Sequence, residues 1–448
     1  MKKTIFSTLL MLSAFGLHAE DWPQWRGPFF NGATEEKSQC IDFSPTKNVK
    51  WSTELSGPSG ATPIILGNRV FISSVDEAKE QLLGVCLDRE TGKVLWKKDL
   101  GSGYKVNNEG TKIAIGKRSN YSSPSPIADG NNVIFFFGNG DLVGLDLDGN
   151  EKWRKNIQKE YGDFCYQWTF SASPSLIDGK LLLPILQRDA QAHDRGDAKA
   201  GSYILCFNPD NGNLIWKQQR PSKAIVESLE SYATIVPYER DGVKEFVVFG
   251  GDIVTAHEVA TGKETWRWGT WNPNHEQQWW RTVPSPVIGN DTVLVCAPKK
   301  EPVYAVDLKA TADAETMKGM IWNSDGNRDI SSDVPTPLFY KDHFFVLNDL
   351  RKSISKMEAK TGKVLWTTKL PSSKKWRGSP TASDNKIFLL NHGGLVVIVD
   401  SNSGEILSNI EMGEKRDDNI RSSIPIVDNQ LFIRTNNKIF CIEKSDKS

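Results

Sequence analysis

A turn-plus-strand unit recurs eight times along this 448-residue chain, and five copies close on one signature. Asp88-Arg89-Glu90-Thr91-Gly92-Lys93-Val94-Leu95-Trp96 reads D-x-x-T-G-x-x-x-W. The pattern returns from Asn208 to Trp216, from Thr261-Gly262-Lys263 to Trp266 and from Thr361-Gly362-Lys363 to Trp366. A version one residue shorter runs from Asp148 to Trp153. A chain repeating at a period of roughly 50 residues folds as an array of equivalent units, none of which buries its apolar face alone.

Each unit opens with a small residue and usually proline. Thr62-Pro63, Ser125-Pro126, Ser173-Pro174, Ser285-Pro286, Thr336-Pro337, Ser379-Pro380 and Ile424-Pro425 are seven openings, and Ala233-Thr234-Ile235 is an eighth without proline. Proline cannot donate to a strand ladder, so it marks a strand start or an edge. A polar turn follows, such as Asp129-Gly130-Asn131-Asn132 or Asp178-Gly179-Lys180, and then an apolar run. Such turns tolerate positive φ and read as hairpins. A third apolar run (Leu142–Asp146, Val303–Asp307, Leu395–Asp400), the T-G turn and a Trp-bearing fourth run complete the unit. Four antiparallel strands repeated in series are propeller blades, so the predicted fold is all-β, an eight-bladed β-propeller.

The eighth unit, Ile424 to Glu443, supplies only three strands, while Asn48–Leu55 reads as a last strand without its first three. An N-terminal strand completing the C-terminal blade closes the ring and removes an exposed edge. Trp51, Trp96, Trp153, Trp216, Trp266, Trp322 and Trp366 are expected to fill the wedges between neighbouring sheets. Unit seven keeps the turn at Ser403-Gly404 but carries Leu407 in place of Trp.

Lys2 and Lys3, the apolar run Ile5–Leu17 and Ala19 read as a cleaved secretory signal. The expected organisation is a signal over 1–19, an N-terminal arm over 20–47 and the propeller over 48–448. No later stretch is long and apolar enough to span a bilayer. The expectation is an exported chain, periplasmic or extracellular, and monomeric. Lys+Arg and Asp+Glu balance at 55 each, which argues against nucleic acid as the partner. Of six cysteines, Cys86, Cys206, Cys296 and Cys441 lie in strands and read as small buried hydrophobes. Cys40 and Cys165 lie in loop-like sequence, where a disulfide between them is open, since connectivity is not readable from sequence.

The unit resembles the repeat of pyrroloquinoline-quinone (PQQ) enzymes and of the related propeller lipoprotein of the Bam complex. Asp21-Trp22-Pro23-Gln24-Trp25-Arg26-Gly27-Pro28 is similar to the W-P-Q-W-R-G-P start of secreted PQQ-like repeat proteins, and Ala297-Pro298 to Val303-Tyr304 fits the same group. The resemblance covers Trp22 to about Glu443. It implies the fold strongly and function weakly, because these motifs build blades and propellers host many activities. A quinone-dependent dehydrogenase of this kind implies a Ca²⁺ site of carboxylate and amide oxygens, a carboxylate base and aromatic walls. The resemblance also implies a vicinal disulfide and a longer chain. The sequence has no adjacent cysteines and no haem-attachment motif, and no metal-ligand pattern maps onto it; Glu227, Glu230 and Asp329 precede blade openings without a spacing that ties them together. The expected function is therefore non-catalytic, with no cofactor: a scaffold binding a protein, glycan or small anionic ligand at the channel face. The alternative is a PQQ- and Ca²⁺-dependent dehydrogenase.

Residues just before each opening surround the channel mouth of a propeller. Arg118, Arg281, Arg328, Arg377, Arg416 and Arg421 fall in the nine residues before openings, six of the chain's 17 arginines and about twice their share. Converging guanidiniums bind carboxylate, sulfate or phosphate; loop arginines paired with nearby carboxylates are the plainer alternative. With aromatic neighbours, the candidate ligand-binding set is Arg118, Trp168, Trp280, Arg281, Arg328, Trp376, Arg377 and Arg421. Two aromatic loops, Tyr161–Phe170 and Trp268–Arg281, either present their rings to a sugar or protein or fold over and bury them. His193-Asp194 and His275-Glu276 are pairs without a third metal ligand.

Overall fold

The computed structural model describes residues 21–38, 40–103, 119–269, 271–310, 312 and 316–444. The proposed signal and Arg118 lie outside the described residues. Eight four-stranded antiparallel sheets succeed one another along the chain. Blades 1 to 7 span Ile64–Ser102, Ile127–Asn156, Ser175–Gln219, Val236–Gly269, Val287–Asn323, Leu338–Lys369 and Thr381–Glu411. Blade 8 takes three strands from Ile426–Ile442 and its fourth from Val49–Glu54, with Trp51 opposite Cys441 and Thr53 opposite Ile439. The fold is the expected eight-bladed propeller with the expected closure.

The sequence pattern explains the layering. Middle strands such as Thr292–Cys296 and Lys386–Leu390 are apolar almost throughout because both faces pack against other blades. Fourth strands alternate, since only one face is covered. The core therefore lies between blades: one cluster joins Ile64, Phe71 and Trp96 of blade 1 to Phe135 and Val143 of blade 2.

The D-x-x-T-G-x-x-x-W signature is an inter-blade lock. Six of the blade indoles, those of Trp51, Trp96, Trp153, Trp216, Trp266 and Trp322, donate Nε1–H to a carbonyl in or beside the T-G turn region of the next blade, over 2.6 to 3.3 Å. The turn glycine lies flat under that ring. At Gly92, φ is +70° and a Cβ would stand 2.6 Å from the Trp51 ring, so both the conformation and the close approach require glycine.

A second ring lies inside the first. In blades 1 to 6 the backbone N–H of the opening Ser or Thr donates to the hydroxyl of the next blade's opening residue. The links run Thr62 to Ser125, Ser173, Thr234, Ser285, Thr336 and Ser379, at 2.8 to 3.1 Å. Ser423 N–H donates to Thr62 Oγ1 at 3.0 Å and carries the girdle across the chain ends. The small opening residues of the repeat are thus Ser and Thr for their oxygen as well as their size.

Residues 21–38 and 40–47 form a strap across one end of the channel. Trp22 pairs with Ile65 of blade 1, and Pro23 O accepts from Ala128 N of blade 2. Phe30 packs on the clusters of blades 3 to 5. Arg26 donates to Pro337 O and Pro380 O of blades 6 and 7 at 2.8 and 2.9 Å. Its guanidinium is buried without a carboxylate among the described residues, and burial brings its pKa down to about 9. The chain then follows blade 7 through Thr34 and Ala382 before entering blade 8.

Two open readings are resolved. Cys40 and Cys165 are not paired: both are free and buried, Cys40 among residues of blades 7 and 8 and Cys165 under Gly196 beside blade 3. The aromatic loops mostly bury their own rings. Trp268 and Trp271 pack with Tyr304 at 5.7 and 6.4 Å between centroids, and Phe164, Tyr166 and Phe170 pack on one another. Trp279 is the exception, 57% exposed.

Candidate binding site in the channel

Position along each inner strand sorts the channel into tiers. Residues before the opening hydroxyl form the rim, the hydroxyls form the wall, and residues after it are gripped by the strap. The tiers enclose a cavity of about 120 Å³. Trp25 of the strap contributes its floor, Ser125, Ser173, Thr234, Thr336 and Ser379 its wall, and Tyr232, Val283, Val334, Arg377 and Arg421 its upper part. Trp168 and Arg281 join the same set nearer the rim.

Four of the eight candidate residues, Trp168, Arg281, Arg377 and Arg421, therefore border one cavity. Arg328 is exposed on a turn and Arg416 likewise faces solvent, and neither borders it. Trp376 is fully buried between blades 6 and 7, where no ligand reaches it. Trp280 is half-buried against the blade 4 and 5 cluster.

The arginines are anchored by carboxylates that the sequence reading did not single out. Arg281 makes a bidentate pair with Asp333, both bonds 3.1 Å. Burial opposes the Arg281 charge, but the bonds and proximity of Asp333 outweigh it and raise its pKa. Burial likewise pushes Asp333 up, but Arg281 wins and holds it below the usual carboxylate range. Asp333 N–H donates to Asp349 Oδ1 at 3.1 Å, and Arg377 Nε stands 3.5 Å from Asp349 Oδ2. Burial, then the charge of Asp333, raises the Asp349 pKa. The set is a chain across blades 5 to 7 in which two neighbouring carboxylates stand between two guanidiniums. Pairing with neighbouring carboxylates, the plainer alternative, holds for Arg281 and Arg377. Arg421 donates Nε–H to Asn419 Oδ1 at 3.0 Å. His392 lies close by; burial, then the charges of Arg421, Arg377 and Lys375, lower its pKa to about 3, so it is neutral.

On the other side of the rim, Tyr232 donates to Glu230 Oε2 at 2.7 Å and accepts Trp168 N–H at 3.1 Å. Trp168 Nε1–H reaches Glu227 Oε1 at 3.1 Å. Glu230 is fully buried against Arg188 and accepts Gln167 N–H at 2.9 Å. Burial dominates and lifts its pKa to about 7. Asp329 sits outside, on Arg351 and Lys369.

A calcium-bound quinone calls for several free oxygen ligands. Here Asp333, Asp349 and Glu230 are spent on arginines, and among the described residues no three His, Cys, Asp or Glu side chains gather as a metal site. These residues do not fit that donor set. His275 Nδ1 bonds Asp252 Oδ2 at 2.9 Å instead of pairing with Glu276, and His193 Nε2 lies 2.8 Å from the Gln167 amide nitrogen.

The girdle hydroxyls, Tyr232, Asp333 and Asp349 are what sequence reasoning missed. The signal for the hydroxyls was present, since seven openings carry Ser or Thr at one position. The carboxylates carried no signal, because their partners come from other blades.

The chain matches the family described as "Outer membrane protein assembly factor BamB" over residues 33–181 and 200–448. A polyvinylalcohol dehydrogenase of Pseudomonas sp is 23% identical over 251 residues, 50% of this chain and 36% of that protein. The outer membrane protein assembly factor BamB of Bordetella pertussis (strain Tohama I) is 21% identical over 267 residues, 58% of this chain and 53% of its own length. The match thus spans about half or less of these curated relatives. Among solved structures, a europium-containing methanol dehydrogenase superposes with a TM-score of 0.66 at 12% identity, over 93% of this chain and 90% of that one. Likeness at that identity shows the shared fold.

Proposed function

Because the chain belongs to the outer membrane protein assembly factor BamB family, we propose that it is an exported, non-catalytic propeller scaffold that docks a protein partner on its channel face. The observation that carries this reading is the presentation of Trp279. It is the most exposed of the large apolar side chains among the described residues, yet its loop is fixed. Ser228 donates to Gln277 O at 2.6 Å and accepts Trp280 N–H at 2.9 Å, and its own N–H reaches Gln278 O at 3.1 Å. A rigid tryptophan at a rim loses little entropy on contact and is the residue type that most often anchors protein interfaces. Among the described residues, Asp333, Asp349 and Glu230 are engaged by arginines and Glu227 accepts Trp168 Nε1–H, which favours a scaffold over a dehydrogenase. Among the described residues, no helix is long and apolar enough to cross a membrane.

Site-specific photocrosslinking in the native host tests it. A photoreactive residue at position 279 should give one discrete adduct identified as a single protein, while one at Leu95 on the outer circumference should give none. Equal labelling at both positions would sink the docking reading. Stoichiometric PQQ binding with Ca²⁺ and dye-linked alcohol oxidation by the purified protein would put the dehydrogenase reading in its place.

A further inference from the structure

The wall of the channel cavity is made of hydrogen-bond donors. Each girdle hydroxyl accepts one backbone N–H, and none of the seven, Thr62, Ser125, Ser173, Thr234, Ser285, Thr336 or Ser379, has an acceptor for its own proton among the described residues. Five of them line the cavity. Above them Arg377, only 9% exposed, has no described hydrogen-bond partner for either terminal nitrogen; its contact with Asp349 is made by Nε. Guanidinium is a donor with no acceptor capacity, and a hydroxyl that already accepts offers its proton. The carboxylates beside these arginines, Asp333 and Asp349, are turned to Arg281 and Arg377, and Glu230 and Glu227 accept from Tyr232 and Trp168. Trp25 closes the bottom of the space.

A pocket that supplies donors and few acceptors selects an acceptor-rich guest, and its buried cation selects a negative one. We infer that the cup between Trp25, the hydroxyl girdle and Arg377 binds a small solute carrying an oxyanion, a carboxylate, sulfate or phosphate group. Arg377 would meet the oxyanion, and girdle hydroxyls such as Thr336 and Ser379 would donate to its remaining oxygens. This goes beyond docking on the channel face: the solute sits inside the cup whether or not a protein covers the rim.

Calorimetric titration of the full exported chain tests the inference. Sulfate, phosphate and succinate are compared with chloride at constant ionic strength. At least one of the three should bind saturably with single-site stoichiometry, and chloride should not. Arg377→Gln should weaken that binding about tenfold or more, the scale of one charge-assisted hydrogen bond. Thr336→Val, which keeps the shape and removes one O–H, should weaken it by a smaller factor, and this variant decides if Arg377→Gln fails to fold. Trp279→Ala should leave anion affinity unchanged, which separates this site from protein docking. Heats no larger than those of chloride for all three anions would overturn the inference. So would parental affinity in the folded variants, or binding only of a peptide ending in a free carboxylate.

Discussion

The indole nitrogen of Trp51 stands 2.6 Å from the carbonyl oxygen of Arg89, a bond from the last strand of blade 8 to the turn of blade 1. The same bond recurs at five further blade interfaces, but Trp366, at the interface with blade 7, has a buried Nε1 with no acceptor among the described residues. The seven tryptophans therefore share a shape role and differ in a polar one.

That difference is measurable. Trp51→Phe and Trp153→Phe should each cost about 1 kcal/mol more than Trp366→Phe, the net worth of one hydrogen bond. Trp153→Ala should cost about 3–5 kcal/mol through the cavity it leaves. Chemical denaturation of the four variants gives the comparison, and equal losses for the three Phe variants would mean the indole bonds contribute nothing.

Two loop tryptophans eight residues apart should behave in opposite ways. Trp271 is buried against Phe249 and Tyr304, so Trp271→Ala should cost about 3–5 kcal/mol. Trp279→Ala should change stability by no more than about 0.5 kcal/mol, as for an exposed site. Melting curves that lose stability equally would place Trp279 in the core.

Removing the arm should cost more than a blade edge. Deletion of residues 20–56 takes away the last strand of blade 8, the lid of Trp22, Arg26 and Phe30, and the bonds to blades 6 and 7. The expected result is loss of cooperative unfolding and aggregation, read by calorimetry and size-exclusion chromatography. A monomer with an unchanged melting temperature would show that the ring closes without its strap.

His392 should make stability fall on acidification. Its folded pKa, held down by burial and then by Arg421, Arg377 and Lys375, is about 3 against 6.5 for a free imidazole. The unfolded chain then binds the extra proton, so the neutral ring's contribution is fully present above about 6.5 and is lost as pH falls toward 3. Urea midpoints measured across this window should drop less steeply in His392→Asn than in the parent. Parallel slopes would assign the acid sensitivity elsewhere.

How much of this was legible depended on periodicity. Blade number, closure by Asn48–Leu55 and the role of the blade tryptophans follow from a pattern repeated often enough to average out local ambiguity. The strap does not follow from the Trp22–Pro28 motif, because Arg26 finds Pro337 and Pro380 more than 300 residues away and no repeat encodes that pairing. Of the arginines before openings, Arg281, Arg377 and Arg421 border one cavity and Arg328 and Arg416 face solvent, since offset from an opening sets the tier but loop path sets the direction. Aromatic content could not say whether a loop shows or hides its rings; packing on Tyr304 decided it for Trp271.

The strap also sets an order of events. Arg26, Thr34, Ile41 and Val49–Glu54, early in the chain, find partners in blades 6 to 8 at its far end. The bonds that seat them close loops of 354 residues at Arg26 and 367 at Ser408, and the girdle link at Ser423 closes one of 361. Contacts so remote in the chain are slow to form. Blades 1 to 5 can be assembled while Arg26, Ile41 and Val49–Glu54 still wait for blades 6 to 8 and one sheet edge stays open. The time for which that edge stands open is an interval in which a newly made copy is able to pair with its neighbours instead of with its own first strand.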